Sequence, residues 1–133
     1  MTAFRISEAA PLLGVSDDTL RRWIDSGQLR SSRDAAGRIV VEGADLAARL
    51  RGSARGPSDP VHRASSARNR FVGIVTDVIS DTVMAQVELQ CGPHRVVSLM
   101  SSEAVRDLGL EVGSLATAVV KSTTVIVETP KED

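Results

Sequence analysis

Six consecutive residues near the middle of the chain, Ser65-Ser66-Ala67-Arg68-Asn69-Arg70, set small hydroxyls beside fixed guanidinium charge. They stand where a Gly/Ser/Pro/Arg-rich stretch ends and a run of alternating Val, Ile and Leu begins. Guanidinium groups only donate hydrogen bonds and hydroxyls readily do so, so such a set at a strand entrance suits a tetrahedral oxyanion. Taken alone, the same residues read as the polar end of a linker, and the surrounding elements have to decide. Other chemistry is thinly represented. Cys91 and His94 have the spacing of half a metal site with no second half. No Ser/His/Asp set or carboxylate pair stands out, and no enzymatic activity is expected.

The single cysteine excludes an intramolecular disulfide and fits a reducing cytoplasm. No run approaches the roughly 20 apolar residues of a membrane helix, and no signal-peptide core opens the chain. The 133 residues, 42% hydrophobic and 25% charged, are those of one ordinary globular domain or two small ones. Net charge is -1, but it is unevenly spread: residues 1–52 carry +1, 53–64 another +1, and 65–133 carry -3. Phe4, Trp23 and Phe71 are the only aromatics, too few for a base-stacking platform.

In the front half, Ile6 to Gly14 reads as a short helix with Ser7 as N-cap. Ser16 caps a second helix on which Leu20, Trp23 and Ile24 share one face, and Gly27 ends it. So tight a joint makes the two helices cross, as in a helix-turn-helix. Leu29-Arg30 and Gly37 to Val41 predict two short strands around a turn, a β wing, and Asp45 to Leu50 a third helix covering the core with Leu46 and Leu50. The set Ile6-Ser7-Glu8-Ala9-Ala10, Leu13-Gly14-Val15-Ser16, Thr19-Leu20-Arg21-Arg22-Trp23, Gly27-Gln28-Leu29 and Gly37-Arg38 resembles the winged helix-turn-helix of the excisionase and MerR-like families. That resemblance implies double-stranded DNA as partner, with the second helix in the major groove. Ser16, Asp17 and Thr19 stand at its leading end, Arg21 and Arg22 opposite Trp23, and Arg33 and Arg38 on the wing. These are the expected DNA contacts, with Trp23 in the core. The pairs Asp17–Arg21, Asp18–Arg22 and Arg21–Asp25 are alternatively plain ion pairs of a solvated helix.

Residues 52–64 hold almost no apolar content and two prolines, and read as a flexible tether with His62 exposed. Arg51, just before it, and Arg55 within it are solubilising residues or brush phosphate. Beyond it, Phe71 to Val78, Val83 to Leu89, Arg95 to Leu99, Leu115 to Val120 and Thr124 to Val127 predict five strands, with turns at Ser80-Asp81 and Cys91-Gly92-Pro93. A helix from Ser101 to Gly109 falls between the third and fourth. The expected fold is α+β: a winged helix-turn-helix over 1–51, the tether, a small five-stranded OB-like barrel with one short helix over 65–128, and a tail over 129–133.

The back half resembles the Mop, or molbindin, domain, a TOBE-type module, through Ser65 to Arg70, the spacing to Gly73, the Leu99 to Ser101 approach to a helix, Leu108-Gly109-Leu110, Gly113 and Val119-Val120-Lys121-Ser122. The resemblance implies molybdate or tungstate as bound ligand, held between neighbouring barrels. Carried across, the oxyanion-binding set is Ser66, Ala67, Arg68, Ser101, Lys121 and Ser122, with no residue ligating the metal directly. Arg68 and Lys121 would neutralise the dianion, while hydroxyls and N–H groups orient it. Where family helices carry a second hydroxyl three residues on, this chain has Ala104, and Ser102 or Ser122 is left to compensate.

Together these imply a cytoplasmic one-component transcriptional regulator that senses the anion through the barrel and binds DNA through the head. It would be a homo-oligomer, hexamer or dimer, built through the barrel. Storage or buffering of molybdate, with the head only a DNA tether, is the alternative. A nucleic-acid-binding barrel fits poorly with one aromatic residue and net negative charge.

Overall fold

Glu8 sets the start of the first helix. Its carboxylate accepts from the backbone N–H and Nε of Arg5, so Arg5 rather than Ser7 is the N-cap of α1, Ile6–Leu13. Gly14, at φ 70°, ends that helix in the left-handed region. Ser16 then caps α2, Asp17–Asp25, accepting from Thr19 N at 3.1 Å as the sequence predicts. The wing differs from expectation. Leu29 is buried in the core and its N–H donates to Trp23 O at 3.1 Å, closing the end of α2, so the ladder forms farther on, between β2, Ser32–Arg33, and β3, Ile39–Glu42. Asp34 fixes that register by accepting from the N–H groups of Ala36 and Arg38, both at 2.9 Å. An unpredicted strand, β1 at Ala3–Arg5, adds to the other side of β3 and gives the order β1-β3-β2. The third helix, α3, runs Gly43–Ser53 and buries Leu46, while Leu50 stays exposed instead of covering the core. Ile6, Ala9, Ala10, Leu20, Leu29 and Val41 join Leu46, with Phe4 and Trp23 packed around them.

The chain divides into two units, Met1–Arg55 and Gly56–Asp133, and this computed structural model describes residues 2–53, 56–61 and 63–130. His62, Arg55 and residues 131–133, read above as an exposed imidazole, a tether cation and part of the tail, lie outside the described residues. In the second unit the period-two pattern folds as expected into an antiparallel sheet, with β4 at Asn69–Ser80, β5 at Met84–Cys91, β6 at His94–Ser101 and β7 at Leu115–Val120. The strand order is β6-β5-β4-β7. The first half of β4 pairs with β7 and its second half with β5, so the sheet curls along this one long strand. Gly73 makes the curl possible: a Cβ there would come 2.3 Å from Gln90 O and 2.7 Å from Cys91 Sγ. Val75 and Val87 are fully buried, with Ala85, Leu89, Cys91 and Val105 beside them. Helix α4, Ser102–Leu108, is capped by Ser101, which accepts from Ala104 N at 3.0 Å.

The expected fifth strand is absent within the chain. Lys121 leads into a 3-10 turn, Ser122–Thr124, after which Val125, Ile126 and Val127 run on without a ladder partner, 46%, 84% and 83% exposed. A period-two apolar pattern specifies a strand's faces and not its partner. On the inner side of the sheet a cavity of about 280 Å³ remains, lined by Val75, Val87, Leu89, Met100, Leu110 and Ala118 among others.

The stretch read as a tether begins inside α3, and its Asp59 is tied to the sheet. The carboxylate accepts from Arg70 Nε at 2.6 Å, Thr117 Oγ1 at 2.9 Å and Val61 N at 2.9 Å. No helix among the described residues is long and apolar enough to cross a membrane.

Candidate functional site

The last pair of the β4–β7 ladder is Asn69 with Val120, locked by Asn69 Nδ2 donating to Val120 O at 3.2 Å. The ladder stops there, and Arg68 and Lys121 are the next residues of the chain beyond its two strand ends. Two like charges flanking one ladder end disfavour each other unless an anion joins them. Ser65 shapes the approach: its hydroxyl accepts from Ala67 N at 3.1 Å and its carbonyl from Arg68 Nη1 at 3.3 Å. The Ala67 N–H is thereby engaged in the turn. Ser66, Arg68, Lys121 and Ser122 are all exposed. Lys121 O accepts from Thr124 N and Oγ1, which fixes the turn carrying Ser122.

Ser101 stands apart from this group. It pairs with Met84 at the far end of β5 and β6, beyond the Ser80 end of β4, whereas Arg68 and Lys121 lie at the Asn69 end. One chain therefore brings together Ser66, Ala67, Arg68, Lys121 and Ser122 but not Ser101. Ser102 cannot stand in for the hydroxyl missing at Ala104, because it is 3% exposed and donates to Asp81 O at 2.7 Å. Ser122 remains. The Cys91 and His94 pair is a ladder pair, and the Cys91 thiol is buried and donates to Phe71 O at 3.6 Å. Burial pushes that thiol's pKa up, away from the thiolate a metal would need. No group of three or more His, Cys, Asp or Glu among the described residues could hold a metal ion.

In the first unit, an open cleft of about 280 Å³ lies between the start of α1, the start of α2 and the wing, and Arg5, Ser7, Asp17, Arg21 and Arg38 line it. It gathers three of the expected DNA contacts and adds Arg5, which the motif reading missed. The signal was its place directly before the first helix. Arg5 and Arg38 bond Glu8 and Asp34 through Nε, at 3.2 and 3.0 Å, leaving their terminal nitrogens toward solvent. Those bonds, with backbone N–H groups leading in each case, hold both carboxyls below the usual carboxylate range. The expected i, i+4 ion pairs give way to Arg21 with Asp18 at 3.9 Å. Arg22 instead donates to Thr19 Oγ1, which also accepts from Ser16 Oγ. Arg33 closes the wing turn by donating to Gly37 O at 2.7 Å. Trp23 packs on the core with the Arg49 guanidinium 3.9 Å over its ring, as a core residue should.

A crossed helix pair with a wing, followed by a small curled antiparallel sheet, defines a DNA-binding type of head joined to a small-ligand type of barrel. Comparison with known proteins agrees: a helix-turn-helix domain family matches residues 3–54 and the TOBE domain family residues 65–127. Molybdenum-pterin-binding protein 3 of Clostridium pasteurianum is 41% identical over 63 residues, covering 47% of this chain and 93% of that protein. The molybdenum transport protein ModE of Herbaspirillum seropedicae is 35% identical over 66 residues, 49% of this chain but only 24% of that protein. The solved structure of a molybdate binding protein from Sporomusa ovata is 30% identical, covers 50% of this chain and all of that one, and superposes with a TM-score of 0.49. Through its back half the chain belongs to the TOBE domain family, with a helix-turn-helix domain in front. The relatives it matches are named for molybdenum-pterin binding and molybdenum transport.

Proposed function

We propose that this protein is a DNA-binding regulator that responds to molybdate or tungstate, with the anion held between barrels of neighbouring copies by Ser66, Arg68, Lys121 and Ser122 of one and Ser101 of another, the Ala67 N–H being engaged by Ser65. One observation carries this reading: the cations Arg68 and Lys121 flank the last pair of the β4–β7 ladder, Asn69 with Val120, while the helix-capping Ser101 lies at the opposite end of the sheet. A dianion relieves the first and needs the second from another copy. Self-assembly is further supported by the unpaired, exposed Val125 to Val127 and by the apolar cavity left in the sheet. In the assembly, Ser16, Asp17, Thr19, Arg21, Arg22, Arg33 and Arg38 meet double-stranded DNA, and anion occupancy selects one arrangement of heads.

A second reading, molybdate storage in the cytoplasm, is favoured by a specific fact: the back half alone spans 93% of a molybdenum-pterin-binding protein. Titration separates them. A duplex selected by the protein from a random pool is bound at increasing molybdate, with sulfate as control and anion uptake followed by calorimetry. A several-fold change in duplex affinity with molybdate alone is expected of the regulator. Unchanged affinity at saturating molybdate leaves storage as the function.

A further inference from the structure

Asp59 lies outside the expected anion wall, yet it is bound much as an external anion would be. Three donors from three segments converge on its carboxylate: Arg70 Nε at 2.6 Å, Thr117 Oγ1 at 2.9 Å and Val61 N at 2.9 Å. Arg70 closes the loop by donating from Nη2 to Val61 O at 3.5 Å. Led by the Arg70 hydrogen bond, these contacts lower the Asp59 pKa to about 2, so the group is ionised at any working pH.

The position of this clasp matters more than its strength. Arg70 pairs with Val119 and Thr117 with Val72, on the outer side of β4 and β7. Arg68 and Lys121 follow two residues along from Arg70 and Val119, just past the ends of the two strands, about 7 Å of chain at roughly 3.3 Å per residue. The chain's own carboxylate and the expected oxyanion therefore occupy adjacent places on one row of cations.

We propose that Asp59 is a built-in anion set against the bound oxyanion: a dianion on the Arg68 and Lys121 wall loosens the Asp59 clasp and frees the chain around Asp59 from the barrel. This rests on the oxyanion reading above. The dianion repels the carboxylate and competes for Arg70, and both effects have the same sign. By linkage the seated clasp weakens oxyanion binding by the same factor. Release of the segment around Asp59 thereby becomes a property the ligand controls, through a residue that touches neither DNA nor the anion.

The test uses the full chain and trypsin, because the Arg63–Ala64 bond lies between Asp59 and Arg70. Cleavage at Arg63, resolved by mass spectrometry, should be slow in wild type without anion. It should speed up several-fold at saturating molybdate. Asp59→Asn should be cut fast under both conditions and should bind molybdate tighter by the same factor in calorimetry. Equal Arg63 cleavage with and without bound molybdate overturns the coupling, as does unchanged molybdate affinity in Asp59→Asn. A wild-type chain that takes up no molybdate fails the oxyanion reading and the coupling with it. The clasp is then read separately: equal Arg63 rates in wild type and Asp59→Asn remove it as well.

Discussion

Leu20 and Val41 in the first unit and Val75 and Val87 in the second are all fully buried, yet the two cores end differently. Around the first, Phe4, Leu13, Val15, Trp23, Ile24 and Ile39 close a shell, and the arginines that could meet a partner stand outside it. Around the second, Leu99, Leu115, Ile126 and Val127 remain exposed and an apolar cavity opens on the inner face. The difference follows from the size of the intended partner. A surface that meets a duplex is complete in one copy, since the duplex supplies the opposing wall. Under the function proposed above, a small dianion supplies none, and a barrel whose proposed donors are split between two ends would need a second copy to enclose it.

The sharpest way to break this comparison is to unfold one unit and read the other. Leu20→Ala empties a fully buried site in the head and should cost about 2–5 kcal/mol. Duplex binding should be lost while calorimetry still records molybdate uptake. Gly73→Ala is the mirror experiment. Its Cβ would lie 2.3 Å from a β5 carbonyl, an overlap the backbone can relieve only by parting β4 from β5, at about 3 kcal/mol. Molybdate uptake should vanish while helical circular dichroism of the head persists. If either change abolishes both activities, the units are not independent.

Arg68→Ala sharpens the comparison within the barrel. Removing one charged hydrogen-bond donor is worth about 1.5–3 kcal/mol, or roughly ten- to a hundredfold in molybdate affinity. The barrel's melting temperature should hold, because Arg68 is exposed and its side chain bonds only Ser65 O among the described residues. Unchanged affinity would place the anion elsewhere.

Much of this arrangement was legible in the sequence where a local rule decides. Ser16 caps the helix it was expected to cap, Gly14 and Gly109 end theirs, and the Cys91-Gly92-Pro93 turn falls between β5 and β6. Leu20, Trp23 and Ile24 turn to the core as their spacing requires. What escaped depends on partners far along the chain. The bond from Thr117 to Asp59 spans 58 residues, and nothing in a Pro- and Ser-rich stretch announces it. Thr124 to Val127 has the composition of a strand, but composition does not supply a neighbour. The shift of the wing from Leu29 to Ser32 was decided by burial of Leu29, a tertiary event overriding a local pattern. At Ser102 the surprise is chemical: a hydroxyl that looked free is spent on Asp81 O.

The smallest expected effect lies at Asp81, where the barrel resembles the head most closely. Asp34 ties the wing turn and Asp81 ties the β4–β5 turn, the latter by accepting from Val83 N and Met84 N, both at 2.8 Å. The N–H groups of Met84 and then Val83 lower the Asp81 pKa below its ordinary value of 3.8. A carboxylate depressed in the folded state stabilises it above the unfolded pKa, and that contribution disappears as pH falls through the folded value. Asp81→Asn should therefore lower the barrel's melting temperature slightly at pH 7, and the gap to wild type should narrow once pH drops below about 4, where wild type protonates too. The neutral amide cannot titrate, so the variant's own curve should lose part of its slope in that window. A gap that stays constant from pH 7 to pH 2 would mean that the turn is held by its shape alone and that the Asp81 charge adds nothing. Asp34→Asn run beside it then shows whether the head's turn obeys the same rule, since its carboxylate accepts from two N–H groups and from the Arg38 guanidinium as well.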